Sequence, residues 1–258
     1  MDSGPGPLHA GWRRLAGRMG RTLYGLRMSP WTERARWALD HHGVAYTYHE
    51  HLPMLGEVLL RLKARRKKAT VPLLADGDRI VMGSFEIAKH AEGIGRGAAL
   101  FPSGTDVEMR HWADVAERLS RAGRTLLMER LSGDRVAQAD LLPGAFPSAV
   151  RTTLAPMAGL GLRFIASKHE IARDVGSEIE HVLRPLLQEV QERVSGRTYV
   201  FASLSFADIA LASCMQVLRA RPWPKVPEAL LDAWTNESLA NEFEPLLKWR
   251  DAIYDKHR

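Results

Sequence analysis

The start of the fold is set by two short stretches near the N-terminus. Residues 22–25 read TLYG, and residues 29–43 read SPWTERARWALDHHG. The first stretch is typical of a short strand. In the second, Ser29 offers an N-cap oxygen, proline is favoured at the first helical position, and Gly43 is a natural C-terminal stop. Together they predict a strand, a loop and a helix that begins at Ser29.

Strands and helices keep alternating up to about residue 92. The predicted elements are a strand over 44–49, a basic helix over 52–67, strands over 71–74 and 79–82, and a helix over 84–92. In the basic helix, helical spacing predicts a buried apolar face, made of Leu55, Val58, Leu59 and Leu62. The order β-α-β-α-β-β-α predicts an α/β domain over residues 21–95.

The rest of the chain has a different pattern. Strand signals almost vanish, and helical periodicity predicts an all-α domain over residues 105–258, with helices over 105–131, 158–170, 175–195, 206–220, 227–234 and 242–256. Residues 1–20 contain five glycines and two prolines, which predicts a flexible extension. Two domains and an N-terminal extension are therefore expected.

Two details of the α-helical part bear on function. Ser205 and Asp208 have capping-box spacing before a nearly all-apolar helix, so Cys214 is predicted to be a core residue. The segment 141–169 is rich in proline and glycine and contains no acid. It fits either a lid over a pocket or a long packed connection.

Composition removes several classes of protein. A single cysteine excludes a disulfide framework, a multi-thiolate zinc site and protein dithiol chemistry, and it suggests a reduced, cytoplasmic compartment. Apolar runs are too short for a membrane span. His41, His42, His49 and His51 cluster in sequence, but no further ligands complete a site, so no metal is predicted.

The net charge of +6 lies in the first part of the chain. Residues 1–100 hold 16 Lys and Arg against 9 Asp and Glu, and six of those cations fall within residues 61–68. Without interleaved aromatic residues this run is weak evidence for nucleic acid. A solvated helix face is the simpler interpretation, and binding to an anionic membrane is another alternative. No nucleic-acid partner is predicted.

Four motifs in this order resemble the cytosolic glutathione transferases over about residues 21–258. They are Ser29-Pro30-Trp31, Thr70-Val71-Pro72, Ser84 at a helix start, and Ser205-x-x-Asp208. The resemblance implies a thioredoxin-like N-terminal domain that binds glutathione as cosubstrate, an all-α C-terminal domain that provides an apolar pocket, and a homodimer. The Ser-Pro-aromatic motif is similar to that of the serine-type tau class.

The resemblance implies that Ser29 is the catalytic hydroxyl. A hydroxyl at a helix N-terminus can donate a hydrogen bond to a sulfur anion, and the helix dipole favours negative charge there. Ser29 can equally be no more than an N-cap. Two other hydroxyls compete for the role: Thr32, one turn along, and Tyr24, which stands one residue out of the family's register.

Further positions carry over to the binding of glutathione. A cis bond at Val71-Pro72 would turn the backbone of Val71 toward the tripeptide, and Ser84 with its helix start would receive the γ-glutamyl carboxylate. Lys67 or Lys68 would meet the glycyl carboxylate. Gly83 departs from the family, which usually has Glu, Asp or Gln there to pair with the γ-glutamyl ammonium. Glu86, the acid next along, is on another side of its helix.

Trp31 and the helix that bears Met109, Trp112 and Ala116 are candidate walls for the second substrate, although such residues are often core. The resemblance implies an enzyme of detoxification, which activates the glutathione thiolate for attack on a small hydrophobic electrophile or a peroxide. The alternative is a non-catalytic binding or scaffold protein with the same fold.

Overall fold

The computed structural model describes residues 20–52, 56–141, 147–168, 174–222 and 226–258. By its internal contacts the chain divides into one unit over residues 1–100 and a second over residues 101–258. All of the predicted N-terminal extension except Gly20 lies outside the described residues.

The first unit is built on a four-stranded mixed sheet. Its elements are β1 (Arg21–Gly25), α1 (Pro30–His41), β2 (Thr47–Glu50), α2 (Glu57–Ala64), β3 (Leu73–Asp76), β4 (Arg79–Met82) and α3 (Ser84–Ile94). The strand order is β2-β1-β3-β4, with β1 parallel to β2 and antiparallel to β3, and β4 antiparallel to β3. This arrangement confirms the predicted thioredoxin-like domain.

Alternation along β1 supplies both faces of the sheet with core residues. Leu23 is fully buried in a cluster with Leu39 of α1 and Ile87 of α3. Its neighbour Tyr24 points to the opposite face and packs in a second cluster with Leu60 of α2. The unit is thus a three-layer sandwich with α1 and α3 on one side of the sheet and α2 on the other.

The predicted buried face of α2 is wrong. Val58, Leu59 and Leu62 are 66%, 43% and 71% exposed, and Leu55 lies outside the described residues. The helix instead buries Leu60, Ala64 and an acid, Glu57, whose carboxylate lies 3.4 Å from His51 Nε2. This contact gives the buried carboxylate a polar partner, and periodicity alone does not reveal it. The helix is also shorter than the predicted 52–67, and β2 begins at Thr47 rather than Val44.

The second unit is α-helical over its described residues, as predicted. Its helices are α4 (Asp106–Gly133), α5 (Arg135–Asp140), α6 (Ser148–Lys168), α7 (Val175–Glu178), α8 (Arg184–Val194), α9 (Phe206–Cys214), α10 (Glu228–Trp234), α11 (Glu237–Glu242) and α12 (Glu244–His257), with a π-helical turn over Ile179–Leu183 and a 3₁₀ turn over Met215–Val217.

The helix α9 is central to this unit. All nine of its residues are buried, and the capping box is formed: the Ser205 backbone amide donates to Asp208 Oδ2 at 2.8 Å, and Ser205 Oγ donates to the same oxygen at 2.6 Å. Burial of the carboxyl raises the pKa of Asp208, although the hydrogen bonds from Ser205 and Val200 oppose the shift. Cys214 is buried and its thiol donates to the Leu211 carbonyl at 3.0 Å, which confirms the prediction of a core cysteine.

Several predicted helix bounds in the second unit are wrong. The helix expected from 158 begins at Ser148 and contains Pro156, which removes one backbone donor without ending the helix. Much of the segment 141–169 is this helix, which Arg151 joins to Asp140 of α5 through an ion pair of 2.7 Å; residues 142–146 and 169 lie outside the description. The helix expected over 242–256 is confirmed to within two residues as α12, with Pro245 in its first turn. The helix expected over 206–220 ends at Cys214.

No helix within the described ranges has the length and apolar character to span a membrane.

Candidate functional site

Strand register brings three of the predicted motifs to one edge of the sheet. Tyr24 pairs with Leu73, so the end of β1 lies beside Pro72. Met82 also pairs with Leu73, and the Gly83 amide donates to the Pro72 carbonyl at 3.0 Å. The loop that leads to Ser29, the Val71-Pro72 corner and the start of α3 therefore share an edge onto which two helix N-termini open.

Ser29 is the N-cap of α1, and its side chain is only loosely engaged as one. Its Oγ accepts from the Thr32 amide at 3.5 Å, the outer limit of a hydrogen bond. This cap uses a lone pair of Oγ and leaves the hydroxyl hydrogen available to donate. Ser29 is partly exposed. A partly exposed donor at a helix N-terminus is suited to an anionic ligand atom.

The two other candidate hydroxyls are held differently. Thr32 is fully buried, and its Oγ1 accepts from the Leu26 amide at 3.1 Å. A Cβ at Gly25 would lie 2.4 Å from Thr32 Cγ2, so this close packing requires the glycine. Tyr24 is 9% exposed beneath α2, with its ring 5.1 Å from that of His49. Of the three, Ser29 is the one with surface to offer a ligand.

The other predicted contacts lie at the same edge. The Val71-Pro72 peptide bond is cis, as predicted. Ser84, 7% exposed, is the first residue of the 11-residue helix α3. Gly83 before it has φ of +91°, and a Cβ there would find no atom within 4 Å. The position that is usually a carboxylate or amide in the family is thus open space.

The predicted charged partners sit around this edge. Lys67 and Lys68 are exposed in the segment between α2 and Val71, and Glu86 is exposed in the first turn of α3. Nothing in the described geometry ties Lys68 to a ligand, so its contact with the glycyl carboxylate stays a prediction.

Sequence reasoning missed Glu50, which fixes the loop before Ser29. Its Oε1 accepts from the Arg27 amide at 2.9 Å, and its Oε2 accepts from the Tyr48 hydroxyl at 3.0 Å. Burial, followed by the charge of Glu50, raises the pKa of Tyr48. Glu50 is brought to this loop by the parallel pairing of Gly25 with Glu50, and no pattern in the sequence predicts that pairing.

The two predicted pocket walls belong to different units. Trp31, partly exposed in α1, carries the Arg34 guanidinium 5.9 Å from its ring centroid. Trp112 in α4 is 6% exposed, and the Arg193 guanidinium lies 5.8 Å from its ring centroid. Met109 and Ala116 are buried as core residues. The burial of Trp112 leaves it little surface for a ligand, and the role of both tryptophans as pocket walls stays a prediction.

The clustered histidines have individual structural partners. His41 Nε2 lies 2.9 Å from the Ala98 carbonyl oxygen, and His51 is paired with Glu57. Over the described part of the chain, no group of three or more His, Cys, Asp or Glu side chains is placed to hold a metal ion.

Comparison with known proteins identifies the class to which this geometry belongs. Residues 23–97 match the family model of the glutathione S-transferase N-terminal domain. A search of curated protein sequences finds no match. Residues 23–97 therefore form a domain of the glutathione S-transferase N-terminal type.

Solved structures extend the similarity in fold to most of the chain. The β-etherase LigF of Sphingobium sp. strain SYK-6 has a TM-score of 0.62 at 18% identity, covering 91% of this chain and 95% of its own. A glutathione S-transferase of Methylobacillus flagellatus with glutathione bound has a TM-score of 0.58 at 14% identity, covering 90% and 94%. A rice glutathione transferase in complex with glutathione has a TM-score of 0.54 at 18% identity, covering 90% and 87%. At these identities the likeness establishes the glutathione transferase fold.

Proposed function

We propose that this chain is a glutathione transferase-type enzyme that activates the thiol of bound glutathione for attack on a small hydrophobic electrophile or a peroxide. The observation that carries the proposal is the convergence of Ser29, Val71 and Ser84 on one sheet edge with two helix N-termini. The match of residues 23–97 to a glutathione S-transferase domain supports the same ligand.

Each group has a distinct task in this proposal. The Ser29 hydroxyl donates to the glutathione sulfur and favours the thiolate, helped by the positive end of the α1 dipole. Lowering the thiol pKa by two units requires about 2.7 kcal/mol, within reach of one charge-assisted hydrogen bond and a helix terminus. The thiolate sulfur then forms a bond to the electrophile, and the leaving group departs with the electron pair of the bond that breaks.

The remaining residues bind and orient the tripeptide. Ser84 and the first amides of α3 receive the γ-glutamyl carboxylate, the Val71 backbone pairs with the peptide, and Lys68 meets the glycyl carboxylate. Trp31, which is partly exposed in α1, contributes apolar surface for the electrophile. The proposal includes a homodimer that acts in the cytoplasm in detoxification.

The direct test is turnover of an aryl halide and of a hydroperoxide by the wild type and by Ser29→Ala. Loss of the hydrogen bond to the thiolate should lower kcat/KM by about 10- to 100-fold and move the pKa of bound glutathione back toward that of the free thiol. Asp134→Ala is the matched control, because Asp134 caps α5 through the Val136 and Ala137 amides in the second unit. Equal rates in wild type and Ser29→Ala would refute the assigned role.

A second candidate function is that of a non-catalytic protein that binds glutathione or serves as a scaffold. Gly83 favours it, because the γ-glutamyl ammonium lacks the usual carboxylate or amide partner at that position. Binding of glutathione without turnover of any electrophile would identify this alternative.

A further inference from the structure

The helix α2 carries apolar side chains on the side that faces away from its own unit. Val58, Leu59 and Leu62 are exposed, while Leu60 and Ala64 are buried against the sheet. With about 100° between successive residues, the three exposed side chains span one arc of about 100° opposite the buried pair. We call this stripe, with the cations around it, the outer face of α2.

The cations of the sequence border this stripe. Arg61 and Lys63 lie on either side of it on the helix, and Arg65, Arg66, Lys67 and Lys68 follow directly and are exposed. No acid occurs between Glu57 and Asp76, and Glu57 is buried beside His51. A shallow groove of about 800 Å³ runs through this face, lined by Val58, Arg61, Leu62, Arg65, Arg66 and Lys67.

We propose that the outer face of α2 docks this protein on an anionic lipid bilayer. An interfacial helix buries apolar side chains at the boundary of headgroups and acyl chains, while flanking cations meet anionic headgroups. Val58, Leu59 and Leu62 would enter the boundary of headgroups and acyl chains, and the long side chains of the basic run would reach the anionic headgroups. This role is separate from the proposed chemistry of glutathione, except that Lys68 belongs to both proposals.

Charge and polarity favour a bilayer over other occupants. A nucleic acid would satisfy the cations but would leave the apolar stripe against phosphates and water. Two copies of the chain joined through this face would bring two basic runs together without an acid between them. A bilayer that contains acidic lipid provides both an apolar layer and a negative surface.

The test is co-sedimentation of the full chain with vesicles of phosphatidylcholine alone or with about 30 mol% phosphatidylserine. We expect binding to the acidic vesicles, weakened by high salt, and little binding to the neutral ones. Lys63→Gln with Arg66→Gln should lower the partition coefficient by about 30-fold, since each cation near the surface contributes about fivefold. Val58→Gln with Leu62→Gln should lower it by about tenfold.

Matched controls come from the second unit. Val107 and Val136 are 84% and 68% exposed, and Arg118 and Arg135 are exposed cations. Their paired changes to Gln should leave vesicle binding unchanged, and circular dichroism should show the same fold for every variant. The proposal would be overturned if the wild type bound neutral and acidic vesicles equally, or if the variants of the outer face of α2 bound acidic vesicles as the wild type does. The proposal would also be overturned if the chain did not bind vesicles but bound RNA in a salt-dependent way, and if Val58→Gln with Leu62→Gln left that RNA binding unchanged. A change of oligomeric state in Val58→Gln with Leu62→Gln would overturn it as well.

Discussion

Gly83 is the residue at which this chain differs most informatively from the glutathione transferases that it resembles. Its φ of +91° is a conformation that side chains rarely adopt, yet a Cβ built there meets no atom within 4 Å. Gly83→Glu would therefore add a carboxylate in open space, at a backbone cost of about 1–2 kcal/mol in the free energy of unfolding. If the γ-glutamyl ammonium ends beside it, the Kd for glutathione should fall by about five- to tenfold.

Gly83→Ala separates the two effects of that change. It introduces the same backbone penalty without a carboxylate, so its Tm should fall as in Gly83→Glu while its Kd stays near that of the wild type. Isothermal titration with glutathione and a thermal melt of each variant give both quantities. A Kd for Gly83→Glu no lower than that for Gly83→Ala would show that the ammonium is bound elsewhere.

At this scale the family resemblance ranked Ser29 first among the candidate hydroxyls, but local sequence pattern alone did not rank them. Ser29, Thr32 and Tyr24 are all compatible with local pattern, because a cap, a helix residue and a strand residue each have plausible spacing. The ranking depends on tertiary contacts: Thr32 is fully buried and receives the Leu26 amide, and Tyr24 is covered by α2. Glu50 was missed for the same reason, because its role depends on a tertiary contact: its carboxylate accepts a hydrogen bond from the Arg27 amide in the loop before Ser29.

Among the elements, β1, β3 and α3 are joined by a triad of polar side chains at the end of the sheet. Asp76 of β3 hydrogen-bonds to His90 Nε2 of α3 at 2.9 Å and pairs with Arg21 Nε of β1 at 3.0 Å. Burial opposes ionisation, but hydrogen bonds from His90 and Arg21 outweigh it and hold the pKa of Asp76 below its usual value. The triad therefore stabilises the folded state while the carboxyl is ionised.

The pH dependence of stability tests this triad. Because the folded-state pKa is depressed, its stabilisation is complete above the unfolded-state pKa of about 4 and is lost as pH falls through the folded-state value. Asp76→Asn should lower the free energy of unfolding by about 1–2 kcal/mol at pH 6, and this difference from wild type should shrink as the pH falls from about 5 to 2. Urea unfolding at several pH values measures it.

The nearby acid Asp78 provides the control for that experiment. It is exposed in the turn between β3 and β4, so Asp78→Asn should leave the free energy of unfolding nearly unchanged. A constant difference between Asp76→Asn and wild type down to pH 2 would mean that the ionised carboxyl is not the stabilising group.

Local sequence pattern predicted the order of the helices and strands well, but it predicted poorly which face of each element is buried and which is exposed. Strand alternation and caps were enough for β1, α1, β3, β4 and α3. In α2 two apolar sets share one helix, and periodicity cannot tell which set meets the sheet when a buried pair, Glu57 with His51, helps to decide it. Similarly, proline was given too much weight in α6, where Pro156 stands inside a helix anchored by Ala155 and Leu162.

Across the whole molecule, the excess of positive charge lies in residues 1–100, and its densest part is the run over residues 61–68. The 16 cations of residues 1–100 include six within 61–68, most of them around the outer face of α2. The candidate glutathione edge relies mainly on a hydroxyl, backbone amides and helix termini, with one lysine contact proposed. Net charge thus indicates a surface for docking more directly than it indicates the proposed reaction.

A ligand that binds only the folded state should stabilise this chain as a whole. At ten times its Kd, glutathione should add about 1.4 kcal/mol to the free energy of unfolding, which is about 3–6 °C in Tm for a chain of this size. S-methylglutathione should give a similar shift, because the proposed contacts to Val71 and Ser84 are to the peptide and not to the sulfur.

Two variants assign the shift in Tm to the proposed site. Ser84→Ala should reduce it by removing a donor to the γ-glutamyl carboxylate, whereas Ser29→Ala should keep most of it while losing turnover. A shift in the wild type without turnover would favour the binding or scaffold function. Because catalysis and non-catalytic binding of glutathione both require the ligand at this edge, a chain that shows no shift at about 10 mM of either ligand would contradict both and leave only the scaffold function. It would leave the docking of α2 on acidic vesicles untouched, because that proposal rests on Val58, Leu62 and the cations beside them.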